Sequence, residues 1–134
     1  MTEIKLSLNA QIPGGPQITA SQALELESYK YFDITLDKTQ DKEEITLSKV
    51  GELNLLLIKA TSTLAKDSLS KLSYKIGDAG TFVGLDAPLF LLGTWVSSLA
   101  QNDLKISFKL EPKPTSDSKD SVKVEILTGW QEAS

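Results

Sequence analysis

The sequence predicts an all-β domain: an antiparallel β-sandwich or small barrel of eight to ten short strands, with at most one short helix. Three observations predict it. Apolar residues recur with a period of two along most of the chain, clusters of Gly, Pro, Asp and Ser separate the alternating segments, and no long segment carries a helical period. The chain has 134 residues, 40% of them hydrophobic and 24% charged, the proportions of one globular domain spanning 1–134. That length buries a core without disulfides or metals.

The elements follow in order. Ile4, Leu6, Leu8, Ala10 and Ile12 alternate with Lys5, Ser7, Asn9 and Gln11, which predicts a strand with one face in the core and one in water. Pro13-Gly14-Gly15-Pro16 ends it, because proline lacks an amide donor and fixes φ while glycine tolerates the reversal. Ile18, Ala20, Leu24 and Leu26 resume the alternation, and Phe32, Ile34 and Leu36 carry the next strand. The polar stretch 37–44 reads as a solvated loop, followed by a short strand through Ile45 and Leu47. Leu55-Leu56-Leu57-Ile58 is continuously apolar, as in a strand buried on both faces.

Segment 63–71 is the one place for a short helix or irregular crossover. A strand over 72–76 runs into Gly77-Asp78-Ala79-Gly80, and 81–85 returns as a hairpin. Two apolar segments, 88–92 and 94–99, precede the alternation of Leu104, Ile106, Phe108 and Leu110. A loop of Pro, Ser and charge occupies 111–120, and Val122, Val124 and Ile126 complete the pattern, with Leu127 and Trp130 near its end. No internal repeat or dividing linker is visible.

Composition excludes most chemistry. There is no cysteine and no histidine, and all 14 basic residues are lysines. A disulfide framework, a thiolate nucleophile, imidazole acid/base catalysis, a His/Cys metal site and bidentate arginine recognition are therefore ruled out. The net charge of −4 argues against nucleic acid, whose phosphates are bound by Lys/Arg neutralisation. The amino terminus shows no basic and apolar leader for secretion. The uncharged stretch 87–102, broken by Pro88 and Gly93, falls short of the roughly 20 apolar residues of a membrane span. A cytosolic product, with no membrane partner, is the expectation.

Candidate sites are weak beside their structural readings. Glu25 and Glu27, two apart on a strand, share a solvated face and repel each other, whereas a glycosidase pair faces across a cleft. Asp37, Asp41, Glu43 and Glu44 offer oxygens to a hard cation, but Lys38 and Lys42 are interleaved and no calcium-loop pattern is present. Gly77, Gly80 and Gly84 lack the Lys-Ser/Thr of a phosphate loop and suit a hairpin. Ser68 lies three residues from Lys71, the nearest approach to a Ser-Lys pair. No catalytic residue, cofactor or metal is assigned. Trp95, Trp130, Tyr29, Tyr31 and Tyr74 could stack on sugars, which makes a carbohydrate-binding module the alternative function. The most apolar segment, 85–95, reads either as two buried strand pieces kinked at Gly93 or as an interface patch of Leu89, Phe90, Leu91, Leu92 and Trp95.

The alternating strands, the turn at Gly14-Gly15-Pro16 and the Gly-Leu-Asp-Ala-Pro-Leu-Phe-Leu-Leu-Gly segment over 84–93 resemble small β-sandwich accessory proteins of tailed-phage virions, the capsid cement or decoration proteins. The resemblance is one of size and texture over the whole chain and transfers no functional residue. It implies a non-enzymatic structural protein that assembles in the host cytoplasm and docks on a virion lattice. Its partner would be the major capsid protein or another virion subunit, and it would itself form a homo-oligomer, with a trimer among the forms open to it. The N-terminal segment and the 112–120 loop are the candidate arms for such contacts, beside the apolar patch.

Overall fold

The computed structural model describes residues 2–48, 51–62, 70–77, 80–93, 96, 103–112, 114 and 120–131. Ten strands are found among the described residues, at the upper end of the expected eight to ten, and every pairing is antiparallel. They are β1 (Thr2–Gln11), β2 (Gln17–Leu26), β3 (Ser28–Leu36), β4 (Lys42–Leu47), β5 (Glu52–Ser62), β6 (Lys71–Ile76), β7 (Val83–Gly84), β8 (Leu89–Leu92), β9 (Leu104–Glu111) and β10 (Val122–Gln131). No α-helix occurs among the described residues. One four-stranded sheet has the order β3-β10-β5-β8, a second the order β4-β9-β6-β7, and β1-β2 forms a separate two-stranded ribbon. The two larger sheets share one core in a sandwich-like arrangement with no closed barrel.

The period-two alternation explains that core. Leu104, Ile106, Phe108 and Leu110 of β9 all point inward, as do Val122, Val124, Ile126 and Trp130 of β10. They meet Leu36, Leu56, Ile58 and Leu72 from both sheets. In the continuous apolar run of β5, Leu55, Leu56 and Ile58 are buried, Leu55 on the face turned away from the core cluster, whereas Leu57 on that same face is half-buried. A bulge keeps Leu53 in the core: the register with β10 slips between Gly129 and Trp130, so Asn54 has no opposite number. Its Nδ2 donates to the Glu52 carbonyl at 3.1 Å, and its own carbonyl accepts the Gly93 amide at 3.0 Å.

Two expectations are corrected. The loop placed over 37–44 ends sooner, because β4 starts at Lys42. The Asp37 carboxylate accepts the amides of Thr39 and Gln40 and the Thr39 hydroxyl, all within 2.9 Å, and this turn reverses the chain by residue 40. The Asp41 carbonyl then takes the Leu110 amide and the ladder to β9 begins, so the charged side chains of Lys42 and Glu44 stand on a strand. The second correction concerns β1 and β2, whose apolar face was expected in the core. Ile4, Leu6 and Leu24 are half-buried and Leu26 is buried, but Leu8, Ala10, Ile12, Ile18 and Ala20 are exposed. The ribbon is ten residue pairs long, about 33 Å, and only its base is covered by the rest of the molecule.

The predicted return over 81–85 is the short β7, which pairs with β6 through Ser73 and Tyr74, and Gly77 supplies a φ of 81° before it. Most of 63–71, 94–99 and 111–120, including the expected crossover, the second apolar segment and the Pro/Ser loop, lies outside the described residues.

Candidate docking surface

The two outer faces of the sandwich differ in character. On the β4-β9-β6 side the outward positions are Lys42, Glu44 and Thr46, then Lys105, Ser107 and Lys109, then Lys71, Ser73 and Lys75. Five of these side chains are lysines, and two of them are paired. Lys105 lies 3.7 Å from Glu44, and Lys109 lies 2.7 Å from Glu111, whose carboxyl is held below its ordinary range by that lysine's hydrogen bond and charge. Lys109 and Lys75 also sit over the Phe82 ring, at 4.2 and 5.1 Å from its centroid.

The outer face of β3-β10-β5-β8 carries Asp33, Glu125, Lys59 and Lys123 toward one end, where Asp33 and Lys123 lie 3.6 Å apart. Toward the other end the register aligns two apolar rows: Tyr31, Leu127, Leu57 and Phe90 in one, and Tyr29, Gly129, Leu55 and Leu92 in the next. Tyr29, Tyr31 and Phe90 keep more than half of their surface in water. The Tyr31 hydroxyl donates to Glu125 at 3.1 Å, and that bond holds the phenol protonated above its ordinary range.

The ribbon stands over this apolar end. Opposed residues on an antiparallel pair share a face, so the register divides the ribbon into a side that is apolar except for Gln22 (Ile4, Leu6, Leu8, Ala10, Ile18, Ala20 and Leu24, with Ile12 just beyond) and a side that is polar except for Ala23, from Glu3 to Gln11 and from Gln17 to Glu25. A hydrogen bond of 3.1 Å from Gln17 to Asn9 ties the polar side together near the tip. Gly14, with a φ of 74°, and the bond from the Gly15 amide to the Ile12 carbonyl at 2.8 Å make the turn. At the base, Leu26 fills the space above Gly129, the Glu27 amide donates to the Trp130 carbonyl at 3.0 Å, and Gln131 Nε2 donates to the Glu25 carbonyl at 2.9 Å. Between ribbon and sheet an apolar groove of about 230 Å³ remains open, lined by Leu6, Leu8 and Ala20 on one side and by Leu57, Phe90 and Leu92 on the other.

The expected interface residues divide accordingly. Phe90 is exposed and Leu92 half-buried on the outer face, whereas Leu89 and Leu91 pack against the core, and Trp95 lies outside the described residues. Trp130 corrects the stacking platform. Its indole is fully buried and donates to the Thr128 hydroxyl at 2.9 Å, so no sugar can reach it, and the exposed aromatic pair is Tyr29 and Tyr31. Glu25 and Glu27 are both exposed. The Asp37 carboxylate serves its turn, and no group of three or more acidic residues among the described ones could hold a metal ion. Ser68 lies outside the described residues.

A larger cleft of about 580 Å³ opens between Ala60, Lys71, Leu85, Asp86 and Pro88, and Lys71 and Asp86 are the titratable groups lining it. Sequence reasoning missed the ribbon tip and the Tyr31-to-Phe90 row. A signal for the tip was present: residues 6–24 carry no charged side chain, a longer uncharged stretch than 87–102. The row had none, because register across four non-consecutive strands cannot be read along the chain. Comparison with family models, with curated proteins and with solved structures finds no match to this chain.

Proposed function

We propose that the chain is a non-enzymatic structural protein that works by adhesion, and specifically a virion accessory protein of the capsid cement or decoration type that docks on a lattice of capsid subunits. The observation that carries the adhesive reading is the apolar surface formed by the ribbon tip and the row ending at Phe90. Leu8, Ile12, Ile18 and Phe90 each keep 60 to 67% of their surface in water. Isolated exposed apolar residues are ordinary, but a concentrated set bordering a groove marks a contact surface. The virion assignment is supported by the size and texture of the sequence. Many modest contacts repeated by symmetry would add up, at roughly 25 cal/mol per Å² of apolar burial less the costs of association.

Co-sedimentation with capsids, with Phe90→Lys as the comparison, tests the reading. Phe90 projects from the short β8 into water, so its replacement leaves the core intact and lowers particle binding. A chain that never co-purifies with a larger particle overturns the proposal. A carbohydrate-binding function would use Tyr29 and Tyr31, two residues apart and both exposed on a flat sheet face. Glycan-array binding abolished by Tyr31→Ala would establish that function instead.

A further inference from the structure

We infer that the uncovered apolar side of the β1-β2 ribbon is covered by a second copy of this chain, which makes the ribbon tip the self-association element of the protein; the inference rests on the adhesive reading above and names its partner. A two-stranded ribbon is marginal in water without a hydrophobic face to pack on. Here the base is packed and the outer five residues of each strand are not: Leu8, Ala10, Ile12, Ile18 and Ala20 are exposed on one side. The chain also holds the surface to receive such a tip, in the groove walls Leu57, Phe90 and Leu92 and in the row that continues to Tyr31.

Area supports a copy as the occupant. Leu8, Ile12, Ile18, Phe90, Tyr29 and Tyr31 each expose more than half of their surface, on the order of 100 Å² apiece or roughly 600 Å² together. A standard interface removes about 800 Å² from each partner, of which roughly three fifths is apolar. One chain therefore supplies enough apolar surface for its side of a stable contact.

Charge supports it too. Each copy carries a net charge of −4, so two copies repel at long range. Residues 6–24 carry no charge at all, and the receiving rows from Tyr31 to Phe90 and from Tyr29 to Leu92 carry none either, with Asp33, Glu125 and Lys59 in the row beside them. Like-charged copies meet at the least cost through a neutral arm and a neutral face. A basic partner would find no carboxylate over residues 6–24 to pair with.

The test is light scattering coupled to size exclusion on the full chain, with no capsid present, comparing wild type, Ile18→Asp and Thr19→Asp. The two substitutions place the same charge on neighbouring residues of the ribbon, one on the apolar side and one on the polar side. Both sites are exposed, and an unchanged circular dichroism spectrum and melting temperature at high dilution verify the fold. Wild type and Thr19→Asp are expected at a multiple of the 14.6 kDa chain mass. Ile18→Asp is expected at the monomer mass, with self-association weakened by roughly 100-fold or more. A wild-type chain that stays monomeric at ~100 μM, an Ile18→Asp chain that stays associated, or equal dissociation of both variants overturns the inference. An associating chain that ignores capsids removes the virion assignment and leaves this contact standing; a monomer that binds capsids does the reverse.

Discussion

A hydrogen is all that the ribbon's anchor leaves room for at Gly129. A Cβ built there would lie 2.5 Å from Leu26 Cδ1 and 3.1 Å from the Leu55 Cβ, and both leucines are fully buried. Gly129→Ala is therefore expected to cost about 1–3 kcal/mol by overpacking. The strain falls on the seam between β2 and β10, because Leu26 has no exposed side toward which to move. Leu26→Ala empties the same space, so in the double variant the two losses should not add; denaturant titration of the four chains measures the coupling. A sum of the two single effects would mean that the leucine and the glycine do not share that space. Trp130 makes a comparable case inside the core. Trp130→Phe leaves a void and removes the indole bond to Thr128, whose hydroxyl keeps only a 3.5 Å approach to the Lys30 carbonyl. A loss of about 1–3 kcal/mol is expected in the same titration. Neither residue's role was legible in the sequence. A lone glycine in a strand pattern and a tryptophan near its end each admit several environments, and only the slipped register of β10 on β5 decides between them.

At the scale of the element, the legible strands were those whose alternation also decided burial. β9 and β10 needed nothing beyond the period, since their inward positions are apolar except Thr128 and each lies beside two neighbours. β4 was partly hidden because its first three residues are charged, and strand pairing there is imposed by backbone bonds to β9 rather than by apolar faces. The Asp37 turn sets where that pairing begins. Hydrogen bonds from Thr39 and Gln40 hold the Asp37 carboxyl below its ordinary range. A depressed carboxylate contributes stability that is fully present above the unfolded-state value and is lost as pH falls through the folded-state value. The melting temperature of Asp37→Ala should therefore lie below that of wild type at neutral pH, and the gap should close on acidification. A gap that does not change with pH would mean that the turn does not depend on the carboxylate's charge. β1 and β2 show the converse limit of pattern: alternation located the strands correctly, but it cannot say whether the apolar side meets this chain's core or another surface.

For the molecule as a whole, the contrast between its two outer faces makes salt a discriminating variable. The β4-β9-β6 face presents five outward lysines and pairs Lys105 with Glu44 and Lys109 with Glu111 at 3.7 and 2.7 Å, whereas the outer part of the ribbon over residues 6–24 and the row from Tyr31 to Phe90 are without charge. Screening weakens contacts between complementary exposed charges, because the Debye length falls from about 10 Å at 0.1 M to about 3 Å at 1 M ionic strength. The same screening relieves the mutual repulsion of copies that each carry −4, and strongly hydrated anions such as sulfate favour apolar burial further. Association through the ribbon should thus strengthen as sodium chloride rises and strengthen more in sodium sulfate of equal ionic strength. Association through the lysine-bearing face should weaken in both. Sedimentation velocity across a salt series separates the two, and a steep fall in association with salt would place the contact on the charged sheet. The fold separates the two outcomes: the β4-β9-β6 face carries five outward lysines whose contacts salt would screen, and the apolar end of the opposite sheet presents an uncharged row beside an open groove.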